Sequence, residues 1–380
     1  MKSQILLTRN DFREFVFRRD DHKCVICHEP AVDAHHILER RLFSDGGYYL
    51  DNGASLCAKH HILAEQTVLE CEEIREAAGI TEIVLPEHLY TDERYDKWGN
   101  LYMNNGTRSM GELFFDESVQ KILGEGGVLG YFTNKIKYSR TFHLPWSPGM
   151  NRDDRMMKDV SIYEGQEIVA FEKLDGENTS QYTDYIHARS LDMSPHPSRT
   201  LAKEIWAQRA YNIPKDWRVC GENLFAKHAL YYCNEPKTIN VGTHLQPEYK
   251  SFPGGNALDD LFPVFSIWNE RNRCLSWDET EEWIKLLDYS ACPIYYKGIW
   301  SMDVIEKLNK FVEANSEKVE GYVIRLAREF HYSEFKMVTG KYVRKSHVQN
   351  NHGHWAQKAI IRNELKSNPN IKNTHNFRIE

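Results

Sequence analysis

The chain has no apolar run near the ~20 residues that span a bilayer, and 27% of its 380 positions are charged, so a soluble protein is expected. Met1 to Asn10 lacks a long apolar core followed by a small-residue cleavage site, so no secretory signal is expected either. Positive charge is in deficit: 48 lysines and arginines stand against 55 acidic residues, a formal charge of −7. That excludes a uniformly basic surface, and any anionic partner must be met by local patches. Cysteines number only eight. Three of them fall in a metal-type pattern, which argues for a reducing, cytoplasmic setting in which Cys71, Cys220, Cys233, Cys274 and Cys292 are free thiols. Internal repeats and low-complexity tracts are absent. A length of 380 suits two domains with a core each.

What is present is concentrated in two places. The first is Phe171-Glu172-Lys173-Leu174-Asp175-Gly176-Glu177-Asn178. Glu167 to Lys173 reads as a strand, Asp175-Gly176 as a turn, and Thr179 to Ala188 as the return strand. A turn has no need of lysine. An amine that attacks phosphorus is a lysine's work, provided desolvation or neighbouring cations lower its pKa. Four segments follow in order: His187-Ala188-Arg189-Ser190, Cys220-Gly221-Glu222-Asn223, Val264-Phe265-Ser266-Ile267, and Val319-Glu320-Gly321-Tyr322-Val323-Ile324-Arg325. A basic strand, Lys341-Tyr342-Val343-Arg344-Lys345, closes the series.

As an ordered set over roughly 127–365, these motifs resemble the covalent nucleotidyltransferases, the superfamily of ATP-dependent polynucleotide ligases and capping enzymes, and most of all its RNA ligase branch. The resemblance implies that Lys173 takes AMP from ATP as a phosphoramide. AMP then passes to a 5′-phosphate end and is displaced by a 3′-hydroxyl, with Mg²⁺ (or Mn²⁺) neutralising the transferring phosphoryl group. The residue chemistry agrees, because an adenylate needs a stacking ring, acceptors for hydroxyls, and cations. Phe265, on the apolar strand Leu261 to Trp268, supplies the ring. Glu222 and Glu320, each at a strand end beside a glycine, can reach ribose or a metal, and Arg189 and Lys341 bring positive charge to phosphate. Glu172, Asp175 and Gly176 belong to the nucleotide site through the lysine motif. Two departures stand out. Relatives commonly carry aspartate where this chain has Ser266, and the last motif usually has two lysines one residue apart. The 21-residue interval from Glu320 favours Lys341 over Lys336, leaving Arg344 or Lys345 as the second cation.

The second place is N-terminal: Cys24-Val25-Ile26-Cys27, Asp33-Ala34-His35-His36-Ile37, Asp51-Asn52, and Cys57-Ala58-Lys59-His60-His61. Two Cys/His pairs with two-residue gaps are the usual holder of tetrahedral zinc, here Cys24, Cys27, Cys57 and His60 in a closed structural site. The remaining residues resemble the HNH nucleases over roughly 10–75. That resemblance implies His36 as general base, His35 and His61 as ligands of a catalytic divalent ion, and Asn52 fixing the loop and orienting the base. A helix is expected over 62–78, ending at Gly79; Glu65, four residues after His61, is placed to touch the metal, with a solvated helix-face position the stronger reading.

The expected fold is therefore α+β. A ββα-metal zinc module spans 1–98, a linker 99–130 with a short helix near 111–123, an adenylyltransferase domain of antiparallel sheets flanked by helices 131–365, and a tail 366–380. Helices are expected near 198–211, 278–288 (capping box Ser276 to Glu279) and 302–314. The aromatic, proline-rich Lys137 to Gly149 reads as a pocket rim, and the ~35 residues after the last motif are too few for an appended oligonucleotide-binding barrel. The implied partner is nucleic acid, gripped through Arg13, Arg18, Arg19 and Lys23, through Arg40 and Arg41, and through Lys336 to Lys345. His347, His352, His354 and Trp355 are candidates to cover a nucleotide or strand end. The expectation is an RNA-type ligase with a nicking module. Two alternatives are a plain ligase whose N-terminal module only binds nucleic acid, and a nuclease effector that senses ATP or ends.

Overall fold

The computed structural model describes residues 5–191, 196–242, 246–345, 360–367 and 377–379, so His347, His352, His354 and Trp355 lie outside the described residues. The chain divides into two compact units, Met1–Ile136 and Lys137–Glu380. Among the described residues no helix is long and apolar enough to cross a membrane.

In the first unit, α1 (Arg9–Arg19) starts where the Thr8 side chain accepts from Asp11 N, satisfying an orphan donor of the first turn. β1 (Asp33–His36) and β2 (Gly53–Leu56) pair antiparallel, with His35 opposite Ala54 and His36 opposite Gly53. α2 (Ala58–Glu65) follows β2 directly. The helix expected over 62–78 is two. Thr67, at φ +56°, breaks the first, and α3 (Cys71–Ala77) restarts behind a reciprocal Glu70–Glu73 capping box. Gly79, at φ +67°, ends it as expected.

Residues 99–130 are folded into this unit rather than forming a tether. β3 (Leu101–Tyr102), β4 (Arg108–Ser109), α4 (Glu117–Glu125) and β5 (Phe132–Thr133) carry a three-stranded sheet and a small core of Trp98, Val119, Leu123 and Val128. The glycines that suggested a flexible linker instead supply turns between very short elements, as Gly106 does at φ +82°.

The elements of the second unit, in chain order, are β6 (Phe142–His143), β7 (Glu167–Lys173), β8 (Glu177–Gln181), β9 (Ile186–Ala188), α5 (Thr200–Arg209), β10 (Arg218–Asn223), β11 (Lys237–Asn240), β12 (Tyr249–Phe252), β13 (Pro263–Trp268), β14 (Arg273–Cys274), α6 (Trp277–Leu286), β15 (Ser290–Ala291), β16 (Ile294–Ile299), α7 (Met302–Ala314), β17 (Gly321–Leu326), β18 (Phe330–His331), α8 (Phe335–Val338) and β19 (Thr339–Val343). One sheet runs β16-β7-β17-β19-β6, the other β18-β14-β13-β10-β8-β9 with β15 on β13, and β11 and β12 form a separate hairpin. The pairings are antiparallel except β6 on β19 and β15 on β13. Phe171, Tyr322 and Ile324 from the first sheet join Phe265 and Trp268 from the second in one buried cluster, closed by Ile305, Leu308 and Val312 of α7. The Ser276–Glu279 capping box forms as expected.

The lysine motif does not make the expected hairpin. Both edges of β7 are taken, by β16 and by β17, so no edge is left for the strand after Asp175-Gly176. The chain crosses instead to the other sheet, where β8 pairs with β10, and the expected return strand 179–188 is itself the β8–β9 hairpin. Lys173 therefore stands where the chain passes from one sheet to the other. Gly176 makes that crossing possible, because a Cβ there would lie 2.5 Å from Asn223 O.

Candidate active site and metal centres

A cavity of about 400 Å³ opens between the two sheets, and Lys173, Glu222, Phe265, Arg189 and Lys341 all line it. Strand register explains the convergence. Lys173 sits opposite Gly321 and Phe171 opposite Val323, which in turn is opposite Lys341, so period-two alternation sends these side chains to one face. Gly321 allows the close strand approach, since a Cβ there would lie 1.9 Å from Tyr342 O.

Lys173 Nζ lies 2.5 Å from Glu320 Oε1. Burial pulls its amine down, but Glu320, and behind it Glu222 and Asp175, outweigh burial and hold the proton above a lysine's ordinary value. This is the reverse of the lowered pKa the sequence led us to expect. Glu222 is pushed up to about 8, chiefly by burial, and its Oε1 accepts from Gly176 N at 3.1 Å. Glu172 and Gly176 also line the cavity, and burial pushes the Glu172 carboxyl up to about 7. Asp175 fastens the neighbouring turn: its Oδ2 accepts from Ala229 N at 2.7 Å and Leu230 N at 2.5 Å.

Phe265 is buried, packed edge-on against Tyr138 and parallel to Phe171. Tyr138, Ser139 and Thr141 line the cavity, so the 137–149 segment supplies part of its rim. Ser266 is buried and accepts from Trp268 Nε1 at 3.1 Å. Of the candidate second cations, Arg344 is buried and feels Glu320 and Asp175, whereas Lys345 is exposed. Arg325, at the end of its motif, is structural, with its guanidinium donating to Leu275 O at 2.6 Å. Sequence reading missed three groups: His228, which lines the cavity from the turn held by Asp175, and Asp154 and His143 beside Lys341. No short motif marks them, because their position depends on long-range pairing.

In the first unit the four expected zinc ligands meet. His60 Nδ1 is 3.4 Å from Cys24 Sγ and 3.3 Å from Cys57 Sγ, and Cys27 Sγ is 3.7 Å from Cys57 Sγ. Tetrahedral zinc with ordinary bond lengths needs about 3.5 Å between N and S and about 3.8 Å between sulfurs, so the donor set fits. Burial raises the Cys24 thiol, but amides of Cys57, Cys27 and Ile26 outweigh it and bring it down to about 6, toward the thiolate a metal takes.

A second cluster holds His35, His61 and Glu65. Glu65 Oε1 lies 3.5 Å from His35 Nδ1 and 3.6 Å from His61 Nε2, and Asp33 Oδ2 lies 3.4 Å from His61 Nε2. Glu65 is thus no solvated helix-face residue, because α2 stops there and Lys97 Nζ, 3.1 Å away, holds its carboxylate inward. Both ring nitrogens of His35 are buried with no hydrogen-bond partner, as suits a ligand. His36 stacks on Phe12 with centroids 4.4 Å apart, and burial first, then Lys97, pushes it down to about 4. The Asn52 side chain bonds the main chain of Leu38 and Gly47, fixing the loop after His36. The nearby basic residues are largely occupied: Arg18 pairs with Glu14, Arg19 with Asp20 and the carbonyls of Leu50 and Gly53, and Arg41 with Glu39 and Asp116.

No curated protein matches the chain. Among solved structures it is similar to a Naegleria gruberi RNA ligase variant with ATP and Mn, at 13% identity and TM-score 0.36, covering 57% of this chain and 59% of that one. It is also similar to an archaeal ATP-dependent RNA ligase, at 13% identity and TM-score 0.33, covering 56% and 48%. The chain thus spans less than two thirds of the length of either structure. Residues 166–343 match the sequence model of the family described as RNA ligase, and this segment of the chain is an RNA ligase family domain.

Proposed function

We propose that the protein is an ATP-dependent polynucleotide ligase of the RNA type, and that its N-terminal module nicks nucleic acid. The observation that carries the ligase reading is Lys173, set in the RNA ligase family segment among Glu222, Glu320, Arg189 and Lys341 in an aromatic-walled cavity. Lys173 Nζ gives up its proton and bonds to the α-phosphorus of ATP, and the bond from that phosphorus to the bridging oxygen breaks, releasing pyrophosphate. The AMP moves to a 5′-phosphate oxygen as the P–N bond breaks. A 3′-hydroxyl then attacks that 5′-phosphorus, expelling AMP and closing the strand. Phe265 stacks on the adenine, and Lys341 with Arg189 carries charge toward the phosphates. Glu222, which lines the cavity, and Glu320, beside Lys173, are the carboxylates that would hold a divalent ion, which would supply charge neutralisation to the transferring group.

In the first unit, zinc on Cys24, Cys27, Cys57 and His60 holds the fold, and a second ion would sit on His35, His61 and Glu65. His36, neutral at pH 7 and on the strand that carries His35, is the base that activates water. The test uses the two sites separately. His36→Ala should abolish metal-dependent nicking while leaving the sealing of a preformed 5′-phosphate, 3′-hydroxyl nick near wild type. Lys173→Ala should do the reverse and accumulate nicks. Intact nicking in His36→Ala would refute His36 as the base, no nicking by either wild type or Lys173→Ala would reduce the module to a binder, and lost sealing in His36→Ala would refute independent sites.

A further inference from the structure

Lys341 is gripped by residues outside the family segment. β6 runs parallel to β19 with His143 in register with Lys341, and Leu144 N donates to Lys341 O at 2.9 Å while Gly149 N donates to Val343 O at 2.8 Å. The chain then doubles back. His143 N donates to Arg155 O at 2.7 Å and Met157 N to His143 O at 2.8 Å, which brings Asp154 alongside. Asp154 divides its oxygens: Oδ1 lies 3.2 Å from Lys341 Nζ, and Oδ2 lies 3.3 Å from His143 Nε2. His143, 1% exposed, is fixed from its other nitrogen by Ser147 Oγ at 2.8 Å, and that hydroxyl also accepts from Val343 N at 2.9 Å. An amine, a carboxylate, an imidazole and a hydroxyl thus form one chain tied to β19 at both ends.

We propose that Asp154, oriented by His143, is the positioning residue that keeps the Lys341 ammonium directed into the nucleotide cavity. The proposal rests on the ligase reading above. The charged groups facing Lys341 are Lys173 from β7, Glu320 at the head of β17, and Asp154 from the loop after β6, with His143 behind Asp154. Burial and the nearby Lys173 draw the Lys341 amine down from its ordinary value, and Asp154 is the first group to oppose them. Asp154 itself is held below the usual carboxylate range: burial raises it, but the Asn151 amide, Lys341 and His143 outweigh that. With Asp154 neutralised, the same amine stands beside another lysine with less countercharge and sheds its proton at a lower pH.

The experiment is single-turnover transfer of label from ATP to the full chain across pH 6 to 10, for wild type, Asp154→Asn, and Asp154→Asn/Lys341→Arg. Wild type should rise with pH as the free fraction of Lys173 grows, then level off where Lys341, whose amine is drawn below the Lys173 amine, loses its proton. Asp154→Asn should bring that break down by at least ~1 pH unit, leaving its alkaline plateau ~10-fold below that of wild type while the two rates agree near pH 7. The double variant, whose guanidinium keeps its proton, should regain the alkaline rate. If Asp154→Asn merely scales the whole profile, leaves it unchanged, or is inactive and unrescued by arginine, the positioning role is refuted. If wild type takes no label at all, the ligase reading itself fails.

Discussion

Replacing Glu320 with glutamine should make Lys173 more reactive, not less, in the nucleotide-free protein. The two side chains meet at 2.5 Å with Glu320 only 5% exposed, so the carboxylate is the main force keeping the proton on the amine. At the ordinary lysine pKa, only ~0.3% of molecules carry a free amine at pH 8, and the wild-type pair lies beyond that. Coulomb's law at an effective dielectric of ~20 gives about 7 kcal/mol for unit charges at this separation. Glu222 and Asp175 remain, the glutamine dipole still accepts a hydrogen bond, and Lys173 is 25% exposed, so only about 2 kcal/mol of that should be lost. Burial, then opposed by fewer charges, should bring the titration down by ~1–2 units and raise the free amine at pH 8 by ~10–100-fold. The assay is the pH dependence of arylation of Lys173 by an amine-specific reagent, read by peptide mass spectrometry. Equal or lower reactivity in Glu320→Gln would refute the electrostatic account of the resting site.

Three further outcomes are expected. Purified protein should hold one zinc on Cys24, Cys27, Cys57 and His60, and Cys57→Ser should unfold the first unit, because structural zinc contributes ~10–16 kcal/mol in comparable small sites. Metal analysis and circular dichroism check this. Glu65→Gln should weaken Mn²⁺ binding at His35 and His61 by at least ~10-fold in calorimetry, and an unchanged affinity would return Glu65 to the helix surface. Glu172 and Glu222 titrate upward in the folded state, near 7 and 8, so the stability they add as neutral acids is full at low pH and fades as pH rises through those values. The second unit's melting temperature should therefore fall from about pH 4.5 to about pH 8 and level off above it, and Glu222→Gln should flatten the fall.

The residues of both sites were legible because their chemistry is tied to short spacings. Cys24-x-x-Cys27 with Cys57-x-x-His60, and the lysine motif with its ordered companions, needed no tertiary information, and their ligand atoms and side chains do converge. What was not legible depended on which strand edges were free. The Asp175-Gly176 turn looked like a hairpin because local turn chemistry cannot show that β16 and β17 already flank β7. The inward position of Glu65 was hidden for a similar reason, since its partner Lys97 lies 32 residues away, from 65 to 97, in a stretch whose composition suggested a boundary. Asp154 reaches Lys341 only through the parallel pairing of two-residue β6, too short to carry a periodic signal. The resting charge of Lys173 reversed expectation because three carboxylates drawn from separate segments outweigh burial.

The most direct measurement is incubation of the full chain with α-labelled ATP and Mg²⁺, followed by denaturation and peptide mapping. The account predicts one AMP per chain on the peptide bearing Lys173, stable to base, labile to acid, and absent in Lys173→Ala. Label on another residue, label retained in Lys173→Ala, or no label at any pH between 6 and 9 would contradict it.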